Sequence, residues 1–488
     1  MGEELTALDA TFLQLEEADQ SAHMHIGGVI LIEPGPDGSP PHIERIREDV
    51  LARLPDVPRF TERLSAPHTG GLHWPEWQPD PDFDIARHVF EAGLPAPGGR
   101  RELVGWAGDF YSQRLDRTRP LWELAIVTLA DGRWAIATKT HHCMVDGVGS
   151  VDIGTTLLDT QPEQRHPDGG GWTAAAADGA SGEGPPDWRG AAFRLARPGL
   201  ALARAVLRAG EAGVHAAEAA IGATAHPQRA RDALHRARAL AEVLVFDELI
   251  AAPHTSLNEP IGTKRRLAVF SVELDDLRRV RGALGGTVND VVLAASAGGL
   301  RALLNARGEE LPAQGLRAMV PMNIRSAAEQ LALGNRISSL FIHLPVAARD
   351  PLERYRQQLQ EAETLKASAQ ALGTTTILDL ADRLPPVLHS FVARSLYATR
   401  LFNVTVTNVP GPQTPLYCFG SRVQEIWPLV PIAAEHAVGL AVFSYMGRLY
   451  FCVNADRDSV PDINVLADGI EGSLAELCEL AQGPQEDG

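Results

Sequence analysis

His141-His142-Cys143-Met144-Val145-Asp146-Gly147 sets two imidazoles, a thiol and a carboxylate close together in the chain. That composition suits reagents better than core packing. A neutral imidazole, with a reference pKa of ~6.5, can take a proton near pH 7 and return it. Transfer of a group to a hydroxyl needs both halves of that exchange. A base removes the hydroxyl proton as the oxygen attacks, and the conjugate acid protonates the leaving group. His142 is the candidate base and His141 its companion. Asp146 could hold the histidine tautomer as in a triad, but the intervening turn makes that geometry doubtful. A His-His-x-x-x-Asp metal site is a weaker reading, because no second His/Cys/Asp cluster stands nearby; no metal is expected. Gly147-x-Gly149 lacks the third glycine of a dinucleotide fingerprint, and no GxSxG elbow occurs. Cys143 adjoins the base, but adjacent strand residues point apart, so direct transfer is expected and no covalent intermediate.

The doublet sits where a strand pattern ends. Trp134, Ile136, Thr138 and Thr140 alternate with Ala135, Ala137 and Lys139, the period of a half-buried strand. A strand running through the pair puts His142 on the Trp134/Ile136 face and His141 on the other. Gly147 and Gly149 permit a sharp turn, and 151–158 reads as helix. Upstream, 7–15 and 101–115 read as helices and 26–32 as a strand. Strands at 123–129 and 133–140 are joined by Asp131-Gly132.

Downstream, the composition of 163–190 cannot bury a core and marks a linker. Residues 191–245 read as two Ala/Arg-rich helices. Arg197, Arg204 and Arg208 share one face of the first; Leu234, Ala237, Ala241 and Leu244 form an apolar stripe on the second. They are either a solvated connector or a surface for anionic lipid. A second unit starts with a strand at 267–272 and helices at 275–284 and 288–304. Further strands are expected at 337–346, 404–408, 439–445 and 449–454. The expected organisation is therefore mixed α/β, with units at 1–162 and 251–488 joined by 163–250.

Two more stretches could carry chemistry. Thr287-Val-Asn289-Asp290 opens the long helix. Thr287 and Asp290 have the spacing of a capping box, and Asn289 could offer its amide to a carbonyl or oxyanion. Asn408-Val-Pro-Gly-Pro412 follows a strand as a rigid turn, and Asn408 could aim an amide into a cleft.

The chain has 488 residues, too many for one ordinary core. Its net charge of −18 argues against a nucleic-acid partner. Cys143, Cys418, Cys452 and Cys478 are scattered without CxxC spacing, so a reduced, cytoplasmic setting is expected. No apolar run is long enough to span a membrane, and the N-terminal residues carry no cationic leader. Met1 to Thr6 does fit a myristoylation pattern.

The run 141–147 resembles the HHxxxDG signature shared by acyltransferases built like chloramphenicol acetyltransferase and by peptide condensation domains. The ordered set is more specific. Leu8-Asp9-x-x-Phe12-Leu13-x-x-Glu16 and Met24-His25-Ile26-Gly27 come first, and Pro120-Leu121-Trp122-Glu123 precedes the doublet. Ser256 to Gly262, Asn289-Asp290, Pro321 to Arg325, Gly334-Asn335 and Thr407 to Pro412 follow. Together they resemble the bacterial wax ester synthase/diacylglycerol acyltransferase family from end to end, with only 163–245 matching loosely. Glu259 and Thr407 depart mildly from the family pattern.

The resemblance implies two chloramphenicol-acetyltransferase-like domains with a tunnel between them. It implies acyl-CoA as donor, used as substrate with no cofactor. The implied acceptor is diacylglycerol or a long-chain fatty alcohol, at the inner membrane face or a lipid droplet. Catalysis would fall to His142, with His141, Asp146 and Asn289 beside it. Gly147, Pro120, Leu121, Trp122, Asp290 and Asn408 would line or shape the substrate path. In proteins with this signature the aspartate pairs with an arginine outside the motif, and Arg325 is the candidate partner of Asp146. Breaking such a buried pair costs on the order of 3–5 kcal/mol. Wax ester synthesis, peptide condensation and a non-catalytic lipid-surface role are the rival readings. Condensation is disfavoured because no carrier-protein domain follows.

Overall fold

A computed structural model of the chain describes residues 3–35, 37–65, 74–144, 157–162, 252–323, 337–372 and 402–482. Asp146, Gly147, Arg325, Gly334-Asn335, most of the helix expected at 151–158 and the whole linker 163–250 lie outside the described residues.

In chain order the first half supplies α1 (Ala7–Ala18), β1 (His25–Ile32), α2 (Ile43–Arg53), β2 (Glu62–Leu64), β3 (Trp77–Pro79) and β4 (Val89–Ala92). It continues with α3 (Arg100–Tyr111), β5 (Trp122–Thr128) and β6 (Trp134–His141). The second half opens with β7 (Arg265–Glu273), then helices Leu274–Leu284 and Val288–Ala306. Next come β8 (Leu316–Asn323), β9 (Ile337–Leu344), helix Pro351–Leu372, β10 (Val404–Val409) and β11 (Tyr417–Cys418). The last elements are β12 (Ser421–Leu429), β13 (Val438–Tyr445), β14 (Arg448–Asp456) and helix Ile463–Gln482. Two mixed six-stranded sheets result, in the orders β11-β12-β1-β6-β5-β4 and β7-β14-β13-β10-β8-β9, with β2–β3 a separate ribbon. Each carries its own apolar core. The mixed α/β architecture agrees with the sequence.

β6 departs from expectation in an informative way. All eight of its residues are buried, so the strand is covered on both faces, not one. The wet face that the alternation suggested is the one carrying Lys139, which is satisfied inside; on the opposite face Thr138 Oγ1 accepts from Gly28 N at 3.2 Å. Tyr111 Oη donates to Thr138 O at 2.9 Å. Lys139 Nζ donates to Phe110 O and Gln113 O, and it pairs with Glu123 at 2.8 Å. The end of α3 thus covers the second face, and Lys139 there is a hydrogen-bonded core residue.

The segment 251–488 does not keep to itself. β11 and β12 leave it to join the first sheet, where β12 lies antiparallel on β1 with Ile426 opposite Ile30. Arg422, Gln424, Glu425 and Pro428 conceal this strand in the sequence. In the fold Glu425 accepts from Arg100 at 2.6 Å and from Trp427 Nε1 at 2.7 Å. β1 is consequently squeezed between β6 and β12. Gly27, at φ 149°, could carry no Cβ, which would fall 2.1 Å from Thr138 O. The halves are also tied by Arg265 N, which donates to Ser112 Oγ at 2.7 Å.

Candidate active site

The strand stops at His141. His142 to Met144 form one 3-10 turn, so strand alternation does not govern where the His142 ring points. Two carbonyls fix the backbone there. His141 N donates to Leu121 O at 2.9 Å, and His142 N donates to Met24 O at 2.8 Å. Pro120-Leu121-Trp122 and Met24-His25 therefore act as anchors for the doublet. Leu121 and Trp122 are buried in the core, and Trp122 Nε1 donates to Phe60 O at 2.8 Å. Their part in the described residues is support.

The two imidazoles occupy different environments. His141 is wholly buried. Its Nδ1 accepts from Cys143 N at 3.1 Å, so its proton sits on Nε2, which donates to Glu16 Oε2 at 2.8 Å. Glu16 also accepts from Arg114 Nε at 2.8 Å. Burial opposes the charge on Glu16, but the hydrogen bonds from His141 and Arg114 hold its carboxyl well below the usual range. Glu16 and Arg114, with Glu17, Gln20, Leu115 and Arg117, line a surface hollow of about 410 Å³.

His142 is half-buried, and its ring is stacked on Phe12 with centroids 3.8 Å apart and planes 20° from parallel. Its Nδ1 has no hydrogen-bond partner among the described residues. Burial lowers its pKa to about 4. The ring is therefore neutral at pH 7 and holds a lone pair, the form a general base requires. Cys143 packs into the core, and burial pushes its thiol well above its usual range. It is not poised as a thiolate.

His25 lies opposite His141 in the β1–β6 register, with ring centroids 6.2 Å apart. Burial, then the charge of Lys139, pushes its pKa well below normal, so the ring is neutral. Among the described residues no group of three or more His, Cys, Asp or Glu is placed to hold a metal ion.

In the second half, Thr287 caps the helix Val288–Ala306. Asp290 N donates to Thr287 Oγ1 at 3.2 Å, and Thr287 N donates back to Asp290 Oδ2 at 2.8 Å. Asp290 is thus committed to the cap. Asn289, beside it, accepts from Asn408 Nδ2 at 3.5 Å. The structure brings those two site candidates together although they lie far apart in sequence. Asn258 of the Ser256–Gly262 stretch is buried and structural: it donates to Glu435 O at 2.9 Å and accepts from Asn403 at 2.7 Å.

Sequence reasoning gave no role to Phe12, Glu16, Met24 or Arg114. One signal was available: Phe12 and Glu16 are spaced i, i+4 and share a face if the helix expected at 7–15 runs one residue further, as α1 does.

Two family models match the chain: the wax ester synthase/diacylglycerol acyltransferase catalytic domain over residues 5–292, and the WS/DGAT C-terminal domain over 333–478. The chain is 34% identical over 483 residues to tgs1 of Mycobacterium tuberculosis, named as a diacylglycerol O-acyltransferase, covering 98% of this chain and 96% of that one. It is 32% identical to tgs2 of the same species, similarly named, covering 96% and 97%. Among solved structures, the wax ester synthase/diacylglycerol acyltransferase of Marinobacter aquaeolei VT8 superposes with a TM-score of 0.67 at 26% identity, covering 98% of this chain and all of that one. The first condensation domain of the CDA synthetase gives 0.57 at 16% identity over 99% and 97%, a likeness of fold alone.

Proposed function

The chain belongs to the wax ester synthase/diacylglycerol acyltransferase family and is an acyltransferase, and from that premise we propose that it makes triacylglycerol from acyl-CoA and diacylglycerol with His142 as general base. The observation that carries the assignment to His142 is its neutral ring on a turn at a strand end, inside the HHxxxDG run, with a buried Nδ1 that no described group engages.

In this reading His142 takes the acceptor hydroxyl proton as the oxygen attacks the thioester carbonyl. A tetrahedral oxyanion forms, and Asn289 donates to it; an oxyanion donor is typically worth ~3–4 kcal/mol. The intermediate collapses, and the imidazolium returns its proton to the departing CoA sulfur. One ester bond forms, one thioester bond breaks, and the base ends neutral. His141 supports the base, and Asn408 orients Asn289. The buried, protonated Cys143 supports direct transfer.

Diacylglycerol does not dissolve as monomers in water, so the enzyme must meet it at a lipid surface. The proposed meeting place is the inner membrane face or a lipid droplet, with the enzyme attached peripherally. Among the described residues no helix is long and apolar enough to cross a membrane.

The deciding assay uses labelled oleoyl-CoA and dioleoylglycerol, wild type beside His142→Ala. Loss of labelled triacylglycerol in a folded variant supports the base; equal product in both would favour a lipid-surface binding role. Hexadecanol competing with dioleoylglycerol tests the acceptor, and preferred ester formation with the alcohol would make the chain a wax ester synthase first.

A further inference from the structure

We infer that helix α1 is the positioning element of the histidine doublet, with Phe12 holding the plane of the His142 ring and Glu16 fixing His141 and, through it, the turn that carries His142. The inference rests on His142 being the base and assigns a task to a motif that the proposed reaction leaves unused.

In a catalytic triad the carboxylate bonds the base itself. Here the buried carboxylate bonds the neighbour. Glu16 accepts the Nε2 proton of His141, which leaves His141 Nδ1 to accept from Cys143 N within the 142–144 turn. If the tautomer changed, the Nδ1 proton would face the Cys143 N–H and two donors would meet. The carboxylate therefore sets the turn by way of the ring between them. The plane of the His142 ring is fixed separately by Phe12, which covers one face at 3.8 Å and keeps water from it.

Phe12 and Glu16 lie one helical turn apart, so a single rigid element presents both. The element is itself held at both ends. Thr6 Oγ1 accepts from Asp9 N at 3.2 Å at its start. Leu15 and Phe12 pack with Ala22, Met24 and Ala433, the last from the segment after β12. Leu13 enters the first core. The Leu8-Asp9-x-x-Phe12-Leu13-x-x-Glu16 motif thus divides into the partner of the Thr6 cap at Asp9, a core anchor at Leu13, a ring plate at Phe12 and a carboxylate at Glu16.

The test uses the full-length enzyme with oleoyl-CoA and dioleoylglycerol, and Phe12→Leu, Glu16→Gln, Glu16→Ala and His142→Ala, with the fold of each checked by circular dichroism. Phe12→Leu keeps volume and loses the plate. Its kcat should fall ~10–100-fold with KM for acyl-CoA changed less than about 2-fold. The acidic limb of kcat/KM should move upward as water reaches the ring. Glu16→Gln keeps an oxygen that can accept the Nε2 proton and should retain much more activity than Glu16→Ala. 15N spectra of histidine-labelled protein should show His141 as the Nε2–H tautomer in wild type and Glu16→Gln, and mixed in Glu16→Ala. Should Glu16→Ala fail to fold with Arg114 left unpaired, Phe12→Leu and the Glu16→Gln spectrum decide. Wild-type kcat and an unmoved acidic limb in folded Phe12→Leu overturn the role of the plate. A His141 tautomer that is mixed in wild type, or equal kcat losses in Glu16→Gln and a folded Glu16→Ala, overturns the role of the carboxylate. Activity surviving in His142→Ala instead removes the base, and the His141 spectrum still reads Glu16 independently.

Discussion

Asn408 Nδ2 reaches Asn289 Oδ1 at 3.5 Å, joining the end of a sheet strand to the first turn of the helix Val288–Ala306. With its oxygen engaged, the Asn289 amide is turned so that its NH2 is left to donate elsewhere. The same turn is the positive end of a capped helix dipole, so donor and dipole favour developing negative charge together.

Removing that donor tests the oxyanion assignment. Asn289→Ala is expected to lower kcat by ~10²-fold or more, in the range for one oxyanion donor. Asn408→Ala, which frees the amide without deleting it, should cost less. Steady-state kinetics of both variants provide the check. An Asn289→Ala enzyme with nearly unchanged kcat would leave the pair a structural clasp.

Cys143 should be dispensable for chemistry. Its thiol is buried and burial disfavours the thiolate. Cys143→Ser is expected to retain substantial activity at a modest stability cost. Intact-protein mass spectrometry during turnover should find no acyl adduct. A trapped acyl-cysteine, with an inactive serine variant, would replace direct transfer by a covalent route.

Thr287 and Asp290 are expected to report on stability. Thr287→Ala removes the side-chain acceptor for Asp290 N and should cost ~1 kcal/mol of unfolding free energy, visible as a lower urea midpoint. Activity per folded molecule should change little. A large kcat loss at unchanged stability would instead place Thr287 in the reaction.

Buried histidines should make the fold acid-sensitive. Burial, with Arg265's charge for His23, lowers the pKa values of His23 and His436 from 6.5 to about 4. Between pH 6.5 and about 4 the unfolded chain therefore binds protons that the folded chain does not. Stability should be fully present above that window and fall as pH drops through it, by about 1.4 kcal/mol per pH unit for each histidine. Urea unfolding at pH 7 and pH 5 measures this, and equal midpoints would mean the rings are protonated in the fold.

The second half was read closely from sequence where strands are apolar and turns explicit. The hairpin of β13 and β14 around Met446-Gly447 is one case, and the helix opened by Thr287 another. Strand β12 was not legible. Its charged residues and proline look like loop until Arg100 and Trp427 supply Glu425's partners. Lys139 misled for the same reason: a lysine in an alternating strand reads as solvent-facing, and only the carbonyls at the end of α3 make its burial tolerable. At the site, local rules failed at His142, because the strand ended one residue sooner than alternation assumed.

Residue types and order alone identified the imidazole doublet, the capped helix beside Asn289, the mixed α/β character and the family. Those properties are local or combinatorial, and a chain carries them before it folds. Tertiary structure decided that the Glu16 carboxylate serves His141, that Phe12 plates His142, and that Asn408 meets Asn289. Hydrogen bonding and ring stacking act only over a few ångströms, and the partners become neighbours only when α1, β6, β10 and the helix Val288–Ala306 dock.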